Sequence, residues 1–218
     1  VDVVIEDGTD YFGATINGIS VTTDITGQDF DLTEKVTAKS ISTSAFLSAN
    51  DIDLDSATQK GIIVVNSPDG NTMAAAEHTV ALMLAMARNI APAATSTKQG
   101  KWDRAKFTGT ELYSKTLGII GLGKIGSHVA QVALALGMKI VVFDPFTSKE
   151  VVEKMGGEYV TSLDDFWGKC DFITVHVPKT KDTINMINKD TIAKMKKGVR
   201  LVNCARGGII NEQDLKDA

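Results

Sequence analysis

The sequence predicts an α/β protein whose larger part is a doubly wound parallel sheet. From Gly61 onward, short runs of Val, Ile and Leu alternate with longer helix-like stretches. The short runs are continuously apolar, which is typical of parallel strands that are covered by helices on both faces. Because crossovers between parallel strands are right-handed, this alternation predicts a doubly wound sheet.

The predicted elements follow one another in strand–helix pairs. "GIIVV" (61–65) precedes the helix "NTMAAAEHTVALMLAMARNI", "TLGIIG" (116–121) precedes "KIGSHVAQVALALG", and "KIVVFD" (139–144) precedes "SKEVVEKMG". "CDFITVHV" (170–177) then precedes "NKDTIAKMKKG", and "RLVNCA" (200–205) precedes "NEQDLKDA". The first 60 residues are rich in Thr, Gly and Asp instead, and they predict short strands and turns.

Composition narrows the class of protein. The chain has 218 residues, 43% of them hydrophobic, and a formal net charge of -4 with scattered basic residues. No basic block of the kind that neutralises phosphates is present, so we expect no nucleic-acid partner. The two cysteines, Cys170 and Cys204, lack metal-ligand spacing and are interpreted as small buried residues of a reducing cytoplasm. No apolar run approaches the length of a membrane span, so we expect no membrane partner.

The predicted helix at 73–91 is apolar on almost every face after Glu77 and His78. A helix of this kind is expected to be buried on all sides. Two explanations stay open: the helix lies in the middle of the domain, or a second subunit covers one of its faces.

A glycine motif follows the strand at 116–120. Gly121, Gly123 and Gly126 have G-x-G-x-x-G spacing between a predicted strand and a predicted helix, which is the context that a Rossmann-type dinucleotide site requires. Gly121 permits a tight turn, Gly123 lets backbone amides approach a pyrophosphate, and Gly126 allows close packing of helix and strand. The helix N-terminus favours a phosphate at this point.

An acidic residue ends the next predicted strand. Asp144 stands at the usual interval after the loop, where a carboxylate accepts hydrogen bonds from the adenosine ribose and repels a 2'-phosphate. The motif therefore predicts NAD as cofactor in preference to NADP. Two alternatives stay open. Asp144 could instead be a helix N-cap, and the protein could instead be a methyltransferase that uses S-adenosylmethionine, although that cofactor has no pyrophosphate and needs no such loop.

Four stretches resemble the D-2-hydroxyacid dehydrogenase family. They are "NSPDGNTMAAAEHTVALMLAMAR", "GKWDRAKFTGTELYSKTLGIIGLGKIG", "CDFITVHVPKT" and "KKGVRLVNCARGGIINE". The resemblance implies an NAD-dependent enzyme acting on a small 2-hydroxy acid, and "WDRAKFTGTEL" with "NCARGG" favours 3-phospho-D-glycerate. It also implies a partial or divergent substrate domain at 1–66 and an NAD-binding domain at 67–218 that stops before its last strands.

The resemblance also assigns site residues. It places Lys124 and Ile125 in the pyrophosphate loop and Val177 and Pro178 along the adenine and ribose. Cys204 and Ala205 would line the nicotinamide pocket. Arg206 would bind the substrate carboxylate and the 2-oxygen, for which a forked, permanently charged guanidinium is well suited.

Two parts of the family pattern are missing. The catalytic histidine of the family lies downstream of the arginine, and none of His78, His128 and His176 matches its position. We interpret His78 as a packed or capping residue and His176 as a satisfied strand histidine, and we expect the chain to be a fragment with little turnover alone. In the N-terminal part, "SAFLSANDIDLDSATQKG" keeps only the end of a family stretch that contributes substrate contacts.

Two expectations concern assembly and function. In the resembling enzymes the cofactor domains pair along the region of the helix at 73–91, which predicts a homodimer or a higher oligomer in the cytoplasm. The missing histidine leaves an alternative open, a non-catalytic module of the same fold that senses a dinucleotide or serves as a scaffold. The residues that follow Ala218 would discriminate between the two.

Overall fold

The computed structural model describes residues 2–5, 11–16, 19–24, 40–43, 54–61, 63–64 and 70–218. The chain divides into two compact units, 1–67 and 68–218. The second unit contains the predicted sheet and all of the candidate site residues.

The first unit contains short strands, as its composition predicted. Strand β1 (Asp2–Ile5) pairs in parallel with β4 (Ser40–Thr43), and β2 (Tyr11–Ile16) pairs antiparallel with β3 (Ile19–Asp24). Helix α1 covers Leu54–Gln59. The family-like stretch that begins at 44 lies outside the described residues as far as 53, and the interpretation of 1–66 as a substrate domain stays a prediction.

The strand predicted at 61–65 is wrong where the structure describes it. Ile63 and Val64 have no regular secondary structure, and Ile63 is 83% exposed. A short apolar run forms a strand only where a neighbouring strand accepts its backbone hydrogen bonds, and sequence alone does not reveal that neighbour.

The second unit is a five-stranded parallel sheet in the order β7-β6-β5-β8-β9. Chain order runs outward from β5 in both directions, which confirms the predicted doubly wound α/β fold. The strands are β5 (Thr116–Ile120), β6 (Lys139–Phe143), β7 (Glu158–Tyr159), β8 (Phe172–Val175) and β9 (Arg200–Asn203).

The helices of this unit precede the sheet, connect its strands or, in the case of the last helix, follow β9. They are α2 (Thr72–Ala87), α3 (Ile90–Lys98), α4 (Lys124–Ala135), α5 (Lys149–Met155), α6 (Asp164–Trp167), α7 (Lys189–Ile192) and α8 (Glu212–Asp217), and a 3-10 turn covers Arg104–Phe107. The sequence predicted the helices that follow β5, β6, β8 and β9. It did not separate α3 from α2, and it missed β7 and α6.

Both faces of the sheet are covered, and strand residues alternate between two apolar clusters. Leu117, Ile119 and Phe172 face a cluster that includes residues of α2 and α4, such as Met83 and Val129. The intervening strand residues face a second cluster, which contains Ile120, Val141, Ile173 and Val175 from the sheet and Phe166 and Trp167 from α6. Burial on both faces explains why the strands are continuously apolar in sequence.

Helix α2 is buried on one face only. Its buried residues are Ala76, Thr79, Met83 and Ala87, whereas Leu82 and Met86 are 42% and 37% exposed. The expectation of burial on all sides is therefore wrong for the single chain. His78 is exposed on this helix, and Asn71 stands at the N-cap, so the interpretation of His78 as a packed or capping residue is wrong as well. No helix within the described ranges is long and apolar enough to span a membrane.

Candidate functional site

The ends of four strands define one edge of the sheet. Register places their last paired residues side by side: Ile120, Phe143, Val175 and Asn203. The next residue of each strand therefore lies at the same carboxyl edge: Gly121, Asp144, His176 and Cys204. Strand β5 is also the point at which the chain reverses the direction of sheet growth, and ligands of doubly wound folds bind in the crevice there.

The glycine loop between β5 and α4 is tightly packed at two positions. Gly121 has φ +92°, and a Cβ there would lie 2.7 Å from the carbonyl oxygen of His176. A Cβ at Gly126 would collide with the carbonyl oxygen of Gly121. Neither position accepts a side chain, which is what the spacing predicted for both.

The middle of the loop is open. A Cβ at Gly123 would meet no heavy atom within 4 Å, and Gly123 stands at the N-cap of α4. Lys124 is exposed at the first helical position, while Ile125 packs against the core. Helix α4 thus begins with an open approach to its first amides, and such amides attract anions.

Asp144 connects the end of β6 to the glycine loop. Its side chain is only 7% exposed. Oδ2 accepts a hydrogen bond of 2.6 Å from the Leu122 amide, and Oδ1 accepts one of 2.7 Å from the Phe146 amide. These two hydrogen bonds hold the Asp144 carboxylate beside the glycine loop.

Val177 and Pro178 follow β8 at the same edge. Val177 is partly buried, and its Cγ1 would lie 2.9 Å from a Cβ at Gly121. Pro178 is exposed, and its carbonyl accepts a 2.6 Å hydrogen bond from the Thr183 hydroxyl. The hydroxyl fixes the direction in which the chain leaves the sheet after β8.

Cys204, Ala205 and Arg206 form a turn after β9. Asn203 shapes it: its Oδ1 accepts a 3.0 Å hydrogen bond from the Ala205 amide, and its Nδ2 donates to the Arg206 carbonyl at 2.9 Å. Arg206 is exposed, and its Nη1 donates to the Ala205 carbonyl at 2.8 Å. All three residues line a groove of about 430 Å³.

Of the two cysteines, only Cys170 is fully buried. Burial raises the pKa of its thiol to about 12, so it is inert at neutral pH. Cys204 is partly buried in the turn after β9, so the interpretation of both cysteines as buried residues holds for Cys170 alone.

His176 lies beside the glycine loop. Its amide donates to the Ile120 carbonyl at 2.8 Å, and its Nε2 lies 3.1 Å from the Thr174 hydroxyl. Burial lowers the pKa of its imidazole to about 4, so the ring is neutral at physiological pH. His128 is partly buried on α4.

The structure brings the glycine loop, Asp144 and Val177 into one cluster at the end of β5. The turn that carries Arg206 lies at the same edge, two strands away in the sheet. Sequence reasoning missed Leu122, whose amide donates to Asp144 at the end of the neighbouring strand, and Thr174, whose hydroxyl lies against His176 two residues further along β8. The signal for Thr174 was a polar residue in an otherwise apolar strand.

The chain belongs to the D-2-hydroxyacid dehydrogenases. Residues 80–218 match the family described as "D-isomer specific 2-hydroxyacid dehydrogenase, NAD binding domain". Among curated relatives, D-3-phosphoglycerate dehydrogenase of Synechocystis is 54% identical over 174 residues, which are 80% of this chain and 31% of that protein. The enzyme of the same name from Rattus norvegicus is 51% identical over 163 residues, 75% of this chain and 30% of that protein. The chain thus spans about a third of the length of the curated relatives that it matches.

Solved structures share the fold. D-lactate dehydrogenase from Escherichia coli superposes with a TM-score of 0.72 at 34% identity, over 82% of this chain and 55% of that one. D-lactate dehydrogenase from Aquifex aeolicus, complexed with NAD and lactic acid, superposes with a TM-score of 0.69 at 36% identity, over 82% of this chain and 53% of that one.

Proposed function

We propose that this chain is the cofactor-binding part of an NAD-dependent dehydrogenase that oxidises 3-phospho-D-glycerate, or a related D-2-hydroxy acid, to the 2-oxo acid. With phosphoglycerate this is the first step of L-serine biosynthesis. One observation carries the proposal: the glycine loop and Asp144 meet at the carboxyl edge, where the Leu122 amide donates to the Asp144 carboxylate. The identity to D-3-phosphoglycerate dehydrogenases supports the choice of substrate.

The residues at this edge fit a dinucleotide. Gly123 leaves space above the first turn of α4, while Gly126 lets that helix lie close to β5. Loop amides and the helix N-terminus would hold the pyrophosphate beside Lys124 and Ile125. Asp144 would accept hydrogen bonds from the ribose hydroxyls. Val177 and Pro178 would bound the adenine and ribose, and Cys204 and Ala205 the nicotinamide.

Arg206 is the residue proposed to bind substrate. When bound, NAD supplies a hydride acceptor for the carbon that bears the hydroxyl. The guanidinium is exposed, and only Nη1 is engaged in a described hydrogen bond. Its other donors can bind a carboxylate as a fork and polarise the adjacent oxygen.

Proton transfer from the substrate hydroxyl needs a base that this chain does not supply at the family position. Losing such a base typically costs on the order of a hundred- to ten-thousand-fold in rate. We therefore propose that the 218-residue chain binds cofactor but turns over slowly alone. We also propose that the working enzyme is a cytoplasmic homodimer or higher oligomer, built through the cofactor domain.

Replacing Arg206 tests the substrate assignment. In the protein expressed from the whole reading frame, Arg206→Lys should lower kcat/KM for 3-phospho-D-glycerate by at least about a hundredfold, because a point charge does not replace the fork. NADH formation is followed at 340 nm with phosphoglycerate, glycerate and D-lactate in parallel. Lys154→Met is the control, since it removes an exposed cation from α5, which precedes β7 at the opposite edge of the sheet from β9. Wild-type rates in Arg206→Lys on every acid would exclude Arg206 as the carboxylate ligand.

A further inference from the structure

Two sides of the glycine loop contact one residue that the proposed function leaves without a role. The backbone carbonyl oxygen of His176 would lie 2.7 Å from a Cβ at Gly121, and its ring Cδ2 would lie 3.5 Å from a Cβ at Gly126. His176 therefore borders the loop at both ends, with its backbone near the first glycine and its ring near the last one. Between them lies the open position at Gly123.

The His176 imidazole is oriented by a hydrogen bond with Thr174 of β8. Strand residues alternate between the two sheet faces, so Thr174 lies on the same face as Phe172, toward α4. Thr174 is 1% exposed, and its hydroxyl lies 3.1 Å from His176 Nε2. The strand hydroxyl thus sets the orientation of the ring, and the ring in turn lies against α4 at Gly126.

Apolar packing alone does not explain a histidine here. Burying an imidazole costs free energy, and the lowered pKa of His176 reflects that cost. An aliphatic side chain would fill the same space at no such cost, but it would make no directional bond to Thr174. The hydrogen bond is what distinguishes His176 from a simple core residue.

We propose that His176 is a positioning residue: its ring, oriented by Thr174, holds the glycine loop in the shape that receives the pyrophosphate. It acts through the loop and does not itself contact the reacting atoms. The proposal rests on the proposed dinucleotide binding for its functional consequence. Its structural part, that the loop depends on the His176–Thr174 pair, can be measured without any cofactor.

The first measurement is hydrogen exchange of the chain without cofactor. Two amides report on the loop: Leu122, which donates to Asp144, and Ser127, which donates to the Gly123 carbonyl at 2.9 Å. In His176→Leu and in the nearly isosteric Thr174→Val, both amides should exchange about five- to tenfold faster, the scale of one lost hydrogen bond. Amides of Val142 and Ile173 in the core strands should keep their rates. Thr79→Val, which removes a buried hydroxyl from α2, should change neither group.

The second measurement separates the pyrophosphate from the adenosine. ADP-ribose and adenosine are titrated into the same variants, and binding is followed by NMR. ADP-ribose affinity should fall about five- to tenfold in both variants, whereas adenosine affinity stays within twofold, because Asp144 and Val177 are unchanged. A merely structural role would weaken both ligands together and lower Tm in step.

The results separate the two proposals. Wild-type exchange at Leu122 and Ser127 in both variants, or an equal increase in loop and core amides, overturns the role of His176. If the wild-type chain binds no ADP-ribose, the proposed function fails, and the exchange rates still decide the role of His176. If His176→Leu does not fold, Thr174→Val still provides the test, because it only replaces one buried hydroxyl by a methyl group.

Discussion

At the scale of single residues, Asp144 both shapes the site and is proposed to bind ligand. The carboxylate accepts the Leu122 amide of the loop and the Phe146 amide of its own turn. A nearly buried charge is stable only with such partners. Any substitution of Asp144 therefore changes the loop as well as the proposed ribose contact, and loss of binding in such a variant does not isolate one from the other.

Acid should destabilise the chain through His176. Its pKa is about 4 in the folded state, against 6.5 for the unperturbed side chain, because burial penalises the charged ring. The unfolded chain binds the proton first, so stability is present above pH 6.5 and is lost as the pH falls toward 4. Between pH 6.5 and pH 4 the free energy of unfolding should fall by about 3 kcal/mol, at about 1.4 kcal/mol per pKa unit.

Urea denaturation at several pH values measures this effect. The free energy of unfolding of the wild type should decline between pH 6.5 and 4 more steeply than that of His176→Leu, which lacks the titrating group. Using the difference between the two proteins removes the contribution of the carboxylates. Parallel curves for the two proteins would show that His176 is not buried as neutral imidazole.

The sequence located site residues by spacing, but it did not reveal their contacts. Asp144 was predicted from its distance after the glycines, and the structure places it beside the loop. His176 was interpreted as a satisfied strand histidine, and its contacts with Gly121 and Gly126 were not foreseen. Such contacts depend on which strands are neighbours and in which register, and no local pattern contains that information.

At the scale of elements, the β5–loop–α4 unit has two closely packed glycine positions and one open glycine position. Gly121 and Gly126 have backbone atoms where side chains would stand, while Gly123 has open space. The same residue type thus serves packing at two positions and, by our proposal, ligand approach at the third.

Two alanine substitutions should separate these roles. Gly126→Ala places a methyl group on the Gly121 carbonyl, so we expect a loss of a few kcal/mol of stability together with cofactor binding. Gly123→Ala meets no atom and should change the free energy of unfolding by about 1 kcal/mol or less. Its NADH affinity should still fall at least about tenfold, because the methyl group occupies the space proposed for the phosphate. Thermal unfolding and fluorescence titration measure both quantities; normal NADH binding by Gly123→Ala would contradict the loop assignment.

Helices and strands with a strong periodic or apolar pattern were predictable, and short or unpartnered ones were not. The pattern predicted β5, α4 and β6 because each presents a long buried surface. Strand β7 has two residues and helix α6 has four, too few for a period to show, whereas the four residues of α7 lie inside a longer stretch that was predicted as a helix. The run at 61–65 has strand composition, yet Ile63 and Val64 form no strand. Local pattern thus recovers the elements that form the core and fails where tertiary partners decide.

At the scale of the whole molecule, the exposed face of α2 is the main unexplained surface. Leu82 and Met86 are exposed one turn apart on this helix, and Ile90 follows at the start of α3. Exposed apolar side chains grouped on one element are typical of a protein interface. A two-fold axis would cover such a face with its own copy.

We expect the chain to be a dimer of about twice 23.3 kDa at micromolar concentration. Leu82→Glu should shift the mass to that of the monomer without loss of folding, because Leu82 is 42% exposed in the single chain. Val151→Glu, at a residue 52% exposed on α5, is the matched control and should leave the mass unchanged. Light scattering measures all three proteins. A monomeric wild type removes the dimer proposal.

A cofactor titration tests whether the glycine loop and Asp144 form an NAD site. NADH and NADPH are titrated separately into the 218-residue chain at equal ionic strength, by calorimetry or by nicotinamide fluorescence. NADH should bind at least about tenfold more tightly, because the Asp144 carboxylate accepts the ribose hydroxyls and repels a 2'-phosphate. Equal or tighter binding of NADPH, or binding of neither cofactor, would exclude an NAD-selective site at this edge of the sheet.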